Sequence, residues 1–292
     1  MTTNKTVDYG LLFLLALIWS TSFLLIKIAL PTVGPFTMTA VRLSIAAVVL
    51  SGVMLVWGGK LPLHKDAIKL YSVVGILGNT LPFCLISLGE VYIDSSLAAI
   101  LMGIMPISTF VMAHFFIPTE SMTQRKIFGV SLGIIGLITL VGVSAFSNIG
   151  SHVGGQLVVL GGALCYSVTT IFVRTQPKFN GIHMATGATI VAAITCIPLA
   201  FLIEKPLTYS PDQTAVLATL SLGLFHTALA ALIYFRVIHN LGAVTFAHIN
   251  YLIPVPGSIW GVLLLSEYIG WNTWTALALV LTGIYFIQPP RK

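Results

Sequence analysis

The chain has 292 residues, of which 57% are hydrophobic and only 8% charged, with a mean hydropathy of +1.00. A soluble domain carries roughly 25% charged residues, so a soluble enzyme is excluded, as is a disordered or fibrous chain. The net charge of +6 would point to nucleic acid in a soluble protein. In a polytopic membrane protein it marks positive cytoplasmic loops instead, and no nucleic-acid partner is expected.

A helix needs about 20 apolar residues to cross the hydrocarbon. In chain order the candidate spans are Tyr9–Leu30, Gly34–Trp57, Ala67–Leu88, Ile93–Phe116, Thr123–Ala145, Gly155–Arg174, Ile182–Ile203, Thr214–Phe235, Ala243–Leu265 and Trp271–Gln288. The first follows Lys5 as a signal peptide's apolar region would, but it is too long for one and is expected to be kept. The runs are apolar throughout, unlike the roughly 10-residue alternating strands of a membrane barrel. The fold expected is therefore an all-α membrane protein with ten transmembrane helices and the lipid bilayer as its solvent. Cys84, Cys165 and Cys196 stand singly in apolar runs and read as small apolar residues, neither a disulfide framework nor a metal site.

Lys and Arg placement sets the orientation. With the N-terminus inside, Lys5, Lys60, Lys65, Lys69, Arg125, Lys126, Arg174, Lys178, Arg236, Arg291 and Lys292 are cytoplasmic. Lys27 and Lys205 are then on the outer side, and Arg42 lies within the second span. Both termini are expected in the cytoplasm, and the protein in the cytoplasmic (inner) membrane.

An internal repeat runs at a spacing of 147 residues. Ala16-Leu17-Ile18-Trp19-Ser20 matches Ala163-Leu164-Cys165-Tyr166-Ser167, and the same shift pairs Lys27 with Arg174, Thr39 with Thr186, Thr80 with Thr227, Glu120 with Glu267 and Gly136 with Gly283. Pro106 and Pro254 pair with one residue gained or lost. Spans one to five thus correspond to spans six to ten. Five is odd, so the second copy enters the membrane upside down, which is the architecture of many secondary transporters. The domain reading is residues 1–145, a short linker at 146–154, and residues 155–292.

At these residues a family resemblance becomes concrete. The segment Ala16-Leu17-Ile18-Trp19-Ser20-Thr21-Ser22-Phe23 resembles the opening motif of the EamA-type transporters of the drug/metabolite transporter superfamily. The run from Phe36-Thr37 to Arg42, the helix-end Glu120 and Glu267, and the glycine-rich fifth span from Gly129 to Gly142 are similar to that family as well. The resemblance implies a transporter that moves small metabolites outward, with amino acids, aromatic or other neutral ones, as the first substrate class. Exporters of other small organic solutes are the alternative.

Polar groups within the hydrocarbon are costly and tend to face a pathway. The substrate-binding candidates are Trp19, Ser22, Arg42, Asn79, Met102, Tyr166, His226, His248 and Tyr251. The shift pairs Trp19 with Tyr166 and Asn79-Thr80 with His226-Thr227, so these positions are expected to meet near the pseudo-twofold axis. Aromatic faces hold an ammonium at about 2 kcal/mol when desolvated, and amide and imidazole groups bind zwitterions without fixed charge. Packing competes with these readings. Serine and threonine commonly bond back to their own helix, methionine fills gaps, and Asn79, His226 and His248 need a polar partner that another helix can supply. Arg42, about 12 Å into its helix, either snorkels to the outer face or anchors a substrate carboxylate. Lys27 and Arg174 read as interface anchors.

Pro82, Pro106, Pro254 and Pro256 each remove a backbone donor and are expected to act as hinges for alternating access. The Gly129-x-x-x-Gly133 spacing permits close helix packing. All eight acidic residues fall at helix ends or in loops, which disfavours a cationic-drug/proton antiporter built on a mid-membrane carboxylate. Any proton would then travel on histidine, and uncoupled flux is the simpler expectation. The sequence has no HExxH or P-loop, so a polytopic enzyme acting on a lipid-linked substrate is the weaker alternative, and no cofactor or metal is expected. The substrate's identity and the oligomeric state stay open.

Overall fold

The computed structural model describes residues 5–57, 59–117, 122–147, 151–176, 179–246 and 249–287, and the side chains of these except 140–147, 151, 242–245 and 251. Every regular element among them is helical. In chain order they are α1 (Lys5–Ala29), α2 (Pro35–Val56), α3 (Lys65–Gly75), α4 (Leu81–Glu90), α5 (Ser95–Leu101), α6 (Ile104–Phe116) and α7 (Gln124–Ser147). They continue as α8 (Ser151–Thr175), α9 (Gly181–Ile203), α10 (Gln213–Gly223), α11 (Ala230–Phe246), α12 (Ile249–Leu252), α13 (Pro254–Leu265) and α14 (Trp271–Ile287). Among the described residues, seven continuous helical stretches are long and apolar enough to cross a membrane, with α13 and α14 as shorter apolar helices.

Local chemistry sets the helix starts. Pro35 opens α2, where its missing N–H costs nothing. His64, Asn180 and Asp212 cap α3, α9 and α10 by accepting the N–H groups of Ala67, Ile182 and Ala215. Proline also explains several interruptions. Pro82 cannot bond to the carbonyl of Gly78 and its ring crowds it, and the turn just before it widens into a π-helical turn, Ile76–Thr80, joining α3 to α4. Pro106 cannot donate to the carbonyl of Met102, which accepts from the Met105 N–H at 3.0 Å instead, and the fourth span breaks at Met102–Gly103 between α5 and α6. The ninth span breaks at Ile253, immediately before Pro254 and Pro256. A second π-helical turn, Leu224–Leu229, joins α10 to α11 without any proline.

The largest boundary difference from the sequence reading is at the end of the eighth span. The helix expected to end at Phe235 runs on to Phe246. Arg236 and Asn240 of this extension both bond to Asp8 of α1, at 3.2 and 3.0 Å, and Phe246 stacks edge-on against Trp19 and Tyr234. These anchors hold residues 236–246 as helix beside α1, where sequence hydropathy had assigned the last of them to the next span.

The bundle interior is built from small and branched apolar residues. Ala40, Leu43, Ala47, Cys84, Ala192, Ala193, Cys196 and Ala200 bring α2, α4 and α9 together, since small side chains let membrane helices approach closely. Cys84 and Cys196 face each other at 3.6 Å between sulfurs; sequence spacing had kept them apart. Glycine closes the seam between α7 and α14: a Cβ on Gly129 would meet the Gly283 carbonyl, and one on Gly283 the Gly129 carbonyl, each at 2.6 Å. The outer surface of the bundle carries many exposed apolar side chains, Val48, Phe115, Ile138 and Leu202 among them, as a lipid-facing surface requires.

Candidate functional site

The central polar group is Arg42. It does not snorkel: its side chain is only 5% exposed. Its Nε donates to Thr227 Oγ1 at 2.8 Å, and its guanidinium lies over the Phe83 ring at 4.1 Å from the centroid. Nothing among the described residues bonds to its Nη groups. Tyr166 of α8 stands tilted against the same Phe83 ring, with 6.4 Å between centroids. A guanidinium, an aromatic face and a phenol thus converge from α2, α4 and α8, with the threonine that steadies them on the second π turn. A fork of free N–H donors in a low-dielectric interior suits a carboxylate or another compact anion.

The two π turns hold the polar residues that the repeat singled out. Thr80 Oγ1 donates to the Gly75 carbonyl five residues back, at 3.2 Å, and Thr227 does the same to Leu222 at 2.9 Å. Each hydroxyl takes up a carbonyl that the widened turn leaves free. Thr80 also lies within hydrogen-bond distance of the Ala192 carbonyl and Thr195 of α9. Beside Thr227, His226 Nδ1 faces the Ser221 carbonyl at 3.0 Å, which fixes the proton on that nitrogen, so Nε2 accepts from Thr21 of α1, also at 3.0 Å. The polar partner His226 requires is therefore another helix.

The remaining candidates are scattered. Trp19 packs 6.2 Å from both Tyr234 and Phe246, and Tyr166 packs on Phe83, so the two repeat counterparts sit in separate aromatic groups instead of meeting on an axis. Ser22 is buried in α1, Asn79 is half-buried in the first π turn, and Met102 sits at the break of the fourth span against the main apolar core. Pro82, Pro106 and Pro254 lie at interruptions, and Pro256 follows two residues behind Pro254. His248 and Glu120 lie outside the described residues, as does the Tyr251 side chain. Serines brace the two broken spans: Ser20 accepts from Trp260 Nε1 at 3.1 Å, and Ser167 donates to the Met105 carbonyl at 3.0 Å and meets Ser108 at 2.7 Å.

Sequence reasoning missed three features. Phe83 had no polar label. Lys27 carries a tertiary contact that sequence did not show: its Nζ donates to the Glu90 and Ile93 carbonyls, each at 2.7 Å, and ties α1 to the turn after α4. Glu90, expected only at a helix end, is fully enclosed.

Two other carboxylates close the same end of the bundle. Glu204, after α9, accepts the N–H groups of Phe36 and Thr37 at the start of α2. Glu267, after α13, accepts those of Ser95 and Ser96 at the start of α5, together with the Ser95 hydroxyl. Both sit where a helix dipole favours an anion. At Glu267 burial works to raise the pKa, but the bonds from Ser96 and Ser95 outweigh it and leave the carboxyl below its ordinary value. Asp94 nearby is raised, first by burial and then by the Glu267 charge. Ser266 adopts a left-handed conformation, φ 56°, that turns Glu267 back towards α5.

With the geometry in place, comparison with known proteins decides the family. The model of the EamA-like transporter family matches residues 8–142 and again 153–288. The chain belongs to the EamA-like transporter family. It is therefore a membrane transporter of the drug/metabolite transporter superfamily. It is 26% identical to "Uncharacterized transporter YoaV" of Bacillus subtilis, over 92% of either chain. It is 22% identical to "Uncharacterized inner membrane transporter YedA" of Escherichia coli K12, over 96% of this chain and 90% of that one. A protein of known crystal structure shares the fold with a TM-score of 0.67 at 19% identity, over 96% of this chain and 98% of the other.

Proposed function

We propose that this EamA-family transporter exports small metabolites, amino acids first among them, across the cytoplasmic membrane by alternating access. In this reading the chain makes ten spans as two inverted repeats, 1–145 and 155–292, with both termini in the cytoplasm. The two separate matches to the family model favour that organisation. So does the packing, because contacts exchange under the 147-residue shift. Helix α4 packs on α8 as α11 packs on α1, α3 on α9 as α10 on α2, and α6 on α8 as α13 on α1. The relative named an inner membrane transporter favours the location.

The observation that carries the substrate reading is the open Nη edge of Arg42, buried beside Tyr166 and Phe83. The guanidinium receives the carboxylate of a neutral amino acid, and the aromatic pair lines the space for its side chain. Pro106 and Pro254 supply the flexible points, each beside an interruption braced by Ser167 or Ser20 from the partner half. Counterflow of radiolabelled phenylalanine into vesicles reconstituted with the purified protein tests this. Saturable exchange that is lost in Arg42→Gln and largely lost in Arg42→Lys is the expected result. Exchange that is indifferent to both substitutions would remove Arg42 from the substrate path.

A further inference from the structure

Glu90 ends α4 with 0% of its surface exposed, and neither carboxyl oxygen has a hydrogen-bond partner. A carboxyl group in that position is unusual in two respects. It is sealed from water, and neither of the nearest cations bonds to it. Lys27 of α1 gives its donors to the backbone carbonyls of Glu90 and Ile93, and Arg42 of α2 gives its Nε to Thr227. The other charged groups facing this region are Glu267 beyond α13 and Asp94 in the same turn, with His152 of α8 beyond Asp94. Two of those three are acids. On the far side Gly89 is pressed against Val159 and the Gly155 carbonyl of α8, which closes the turn. A bare carboxylate in such an enclosure is costly, whereas the neutral acid is not.

We propose that Glu90 is a proton-carrying site that couples transport to a proton gradient. With the 90–93 turn clamped by Lys27, the carboxyl is held as the neutral acid. When the turn releases Lys27 and opens, water reaches the carboxyl, its O–H bond breaks, and the proton passes to water as hydronium. The carboxylate left behind pairs with the freed Lys27 ammonium. Reprotonation from water reverses each step and lets the turn close. Because the closed form binds the proton and the open form releases it, proton binding and closure favour one another by linkage. This departs from the sequence expectation of uncoupled flux, in which histidine would carry any proton; His226 is committed to Ser221 and Thr21. The coupling rests on the transport reading above; the proton on Glu90 does not.

Two measurements separate those claims. Infrared spectra of the purified protein in detergent at neutral pH should contain a carbonyl-stretch band of a protonated carboxyl that is absent from Glu90→Gln and shifted in Glu90→Asp. The amide is close in shape to the neutral acid, so Glu90→Gln is expected to fold, and the aspartate variant decides if it does not. A parent spectrum without the band, or a band unchanged in both variants, overturns the proposal, whether or not any substrate is moved. In vesicles, an imposed pH difference should drive uphill accumulation of radiolabelled phenylalanine by the parent. Glu90→Gln should lose that response while keeping counterflow exchange. Exchange in the parent with no response to the pH difference, or a response retained in Glu90→Gln, overturns the coupling. Absence of any phenylalanine exchange in the parent counts against the amino-acid reading instead, and leaves the infrared result to decide the proton.

Discussion

The two π-helical turns, Ile76–Thr80 and Leu224–Leu229, occupy matching places in the two halves of the chain, and each carries a threonine bonded to the carbonyl five residues back. Beyond that bond they differ. Thr80 turns to Ala192 and Thr195 of α9, a neutral and fully satisfied contact between helices. Thr227 instead accepts from Arg42, and its neighbour His226 reaches across to Thr21. The same backbone irregularity thus serves as a packing joint in one half and as the support of a buried cation in the other. Repetition preserved the widened turn, while the side chains around it diverged. The position equivalent to Arg42 is Thr189, which has no charge to offer.

Substitutions can break this asymmetry or sharpen it. Arg42→Gln should have the largest effect, lowering counterflow on the order of 100-fold, because charge-assisted hydrogen bonds are each worth about 1.5–3 kcal/mol. Thr227→Val comes next: it leaves Arg42 unsupported and should cut exchange about tenfold, in line with a bond of about 1.4 kcal/mol. Its counterpart Thr80→Val should lower thermal stability in detergent by about 1 kcal/mol and leave exchange nearly unchanged. Equal effects of the two threonine substitutions on flux would erase the distinction between the turns.

Two smaller changes lie outside both turns and should leave exchange alone. Glu267→Gln weakens the cap on α5 by about 0.3–1 kcal/mol. Folding lowers the pKa of Glu267, so the stability it adds is complete above the ordinary glutamate value of 4.5 and is lost as pH falls through the lowered one. Melting curves taken across that acidic range should flatten in the glutamine variant. Ser266→Gly relieves a left-handed serine and should raise stability by about 1 kcal/mol in the same assay.

Composition and periodicity made the membrane-spanning helices legible, because apolar length alone dictates them. The 147-residue shift alone also makes Thr80 and Thr227 counterparts. The π register was hidden, since a turn widened by one residue leaves no mark in residue type unless proline follows it. That accounts for the signal at Pro82 and the silence at Leu224. The contacts of Phe83 and Lys27 are not legible in the sequence because they depend on neighbours 41 and 63 residues away in the chain, Arg42 and Glu90. Glu90 was read by its position at a helix end, where solvent is the usual expectation. Its enclosure arises from the packing of α1, α2 and α8 around it.

The glycine seam between α7 and α14 has a mechanical consequence. Backbone meets backbone there, at Gly129, Gly133 and Gly283, with no side chain between to yield. Sliding either helix along its axis would bring larger residues, such as Phe128 or Ile284, against the opposing main chain. The pair can tilt or swing as one rigid spar, but it cannot shear. Any rearrangement that opens a passage through the rest of the bundle must therefore carry these two helices together or leave both in place.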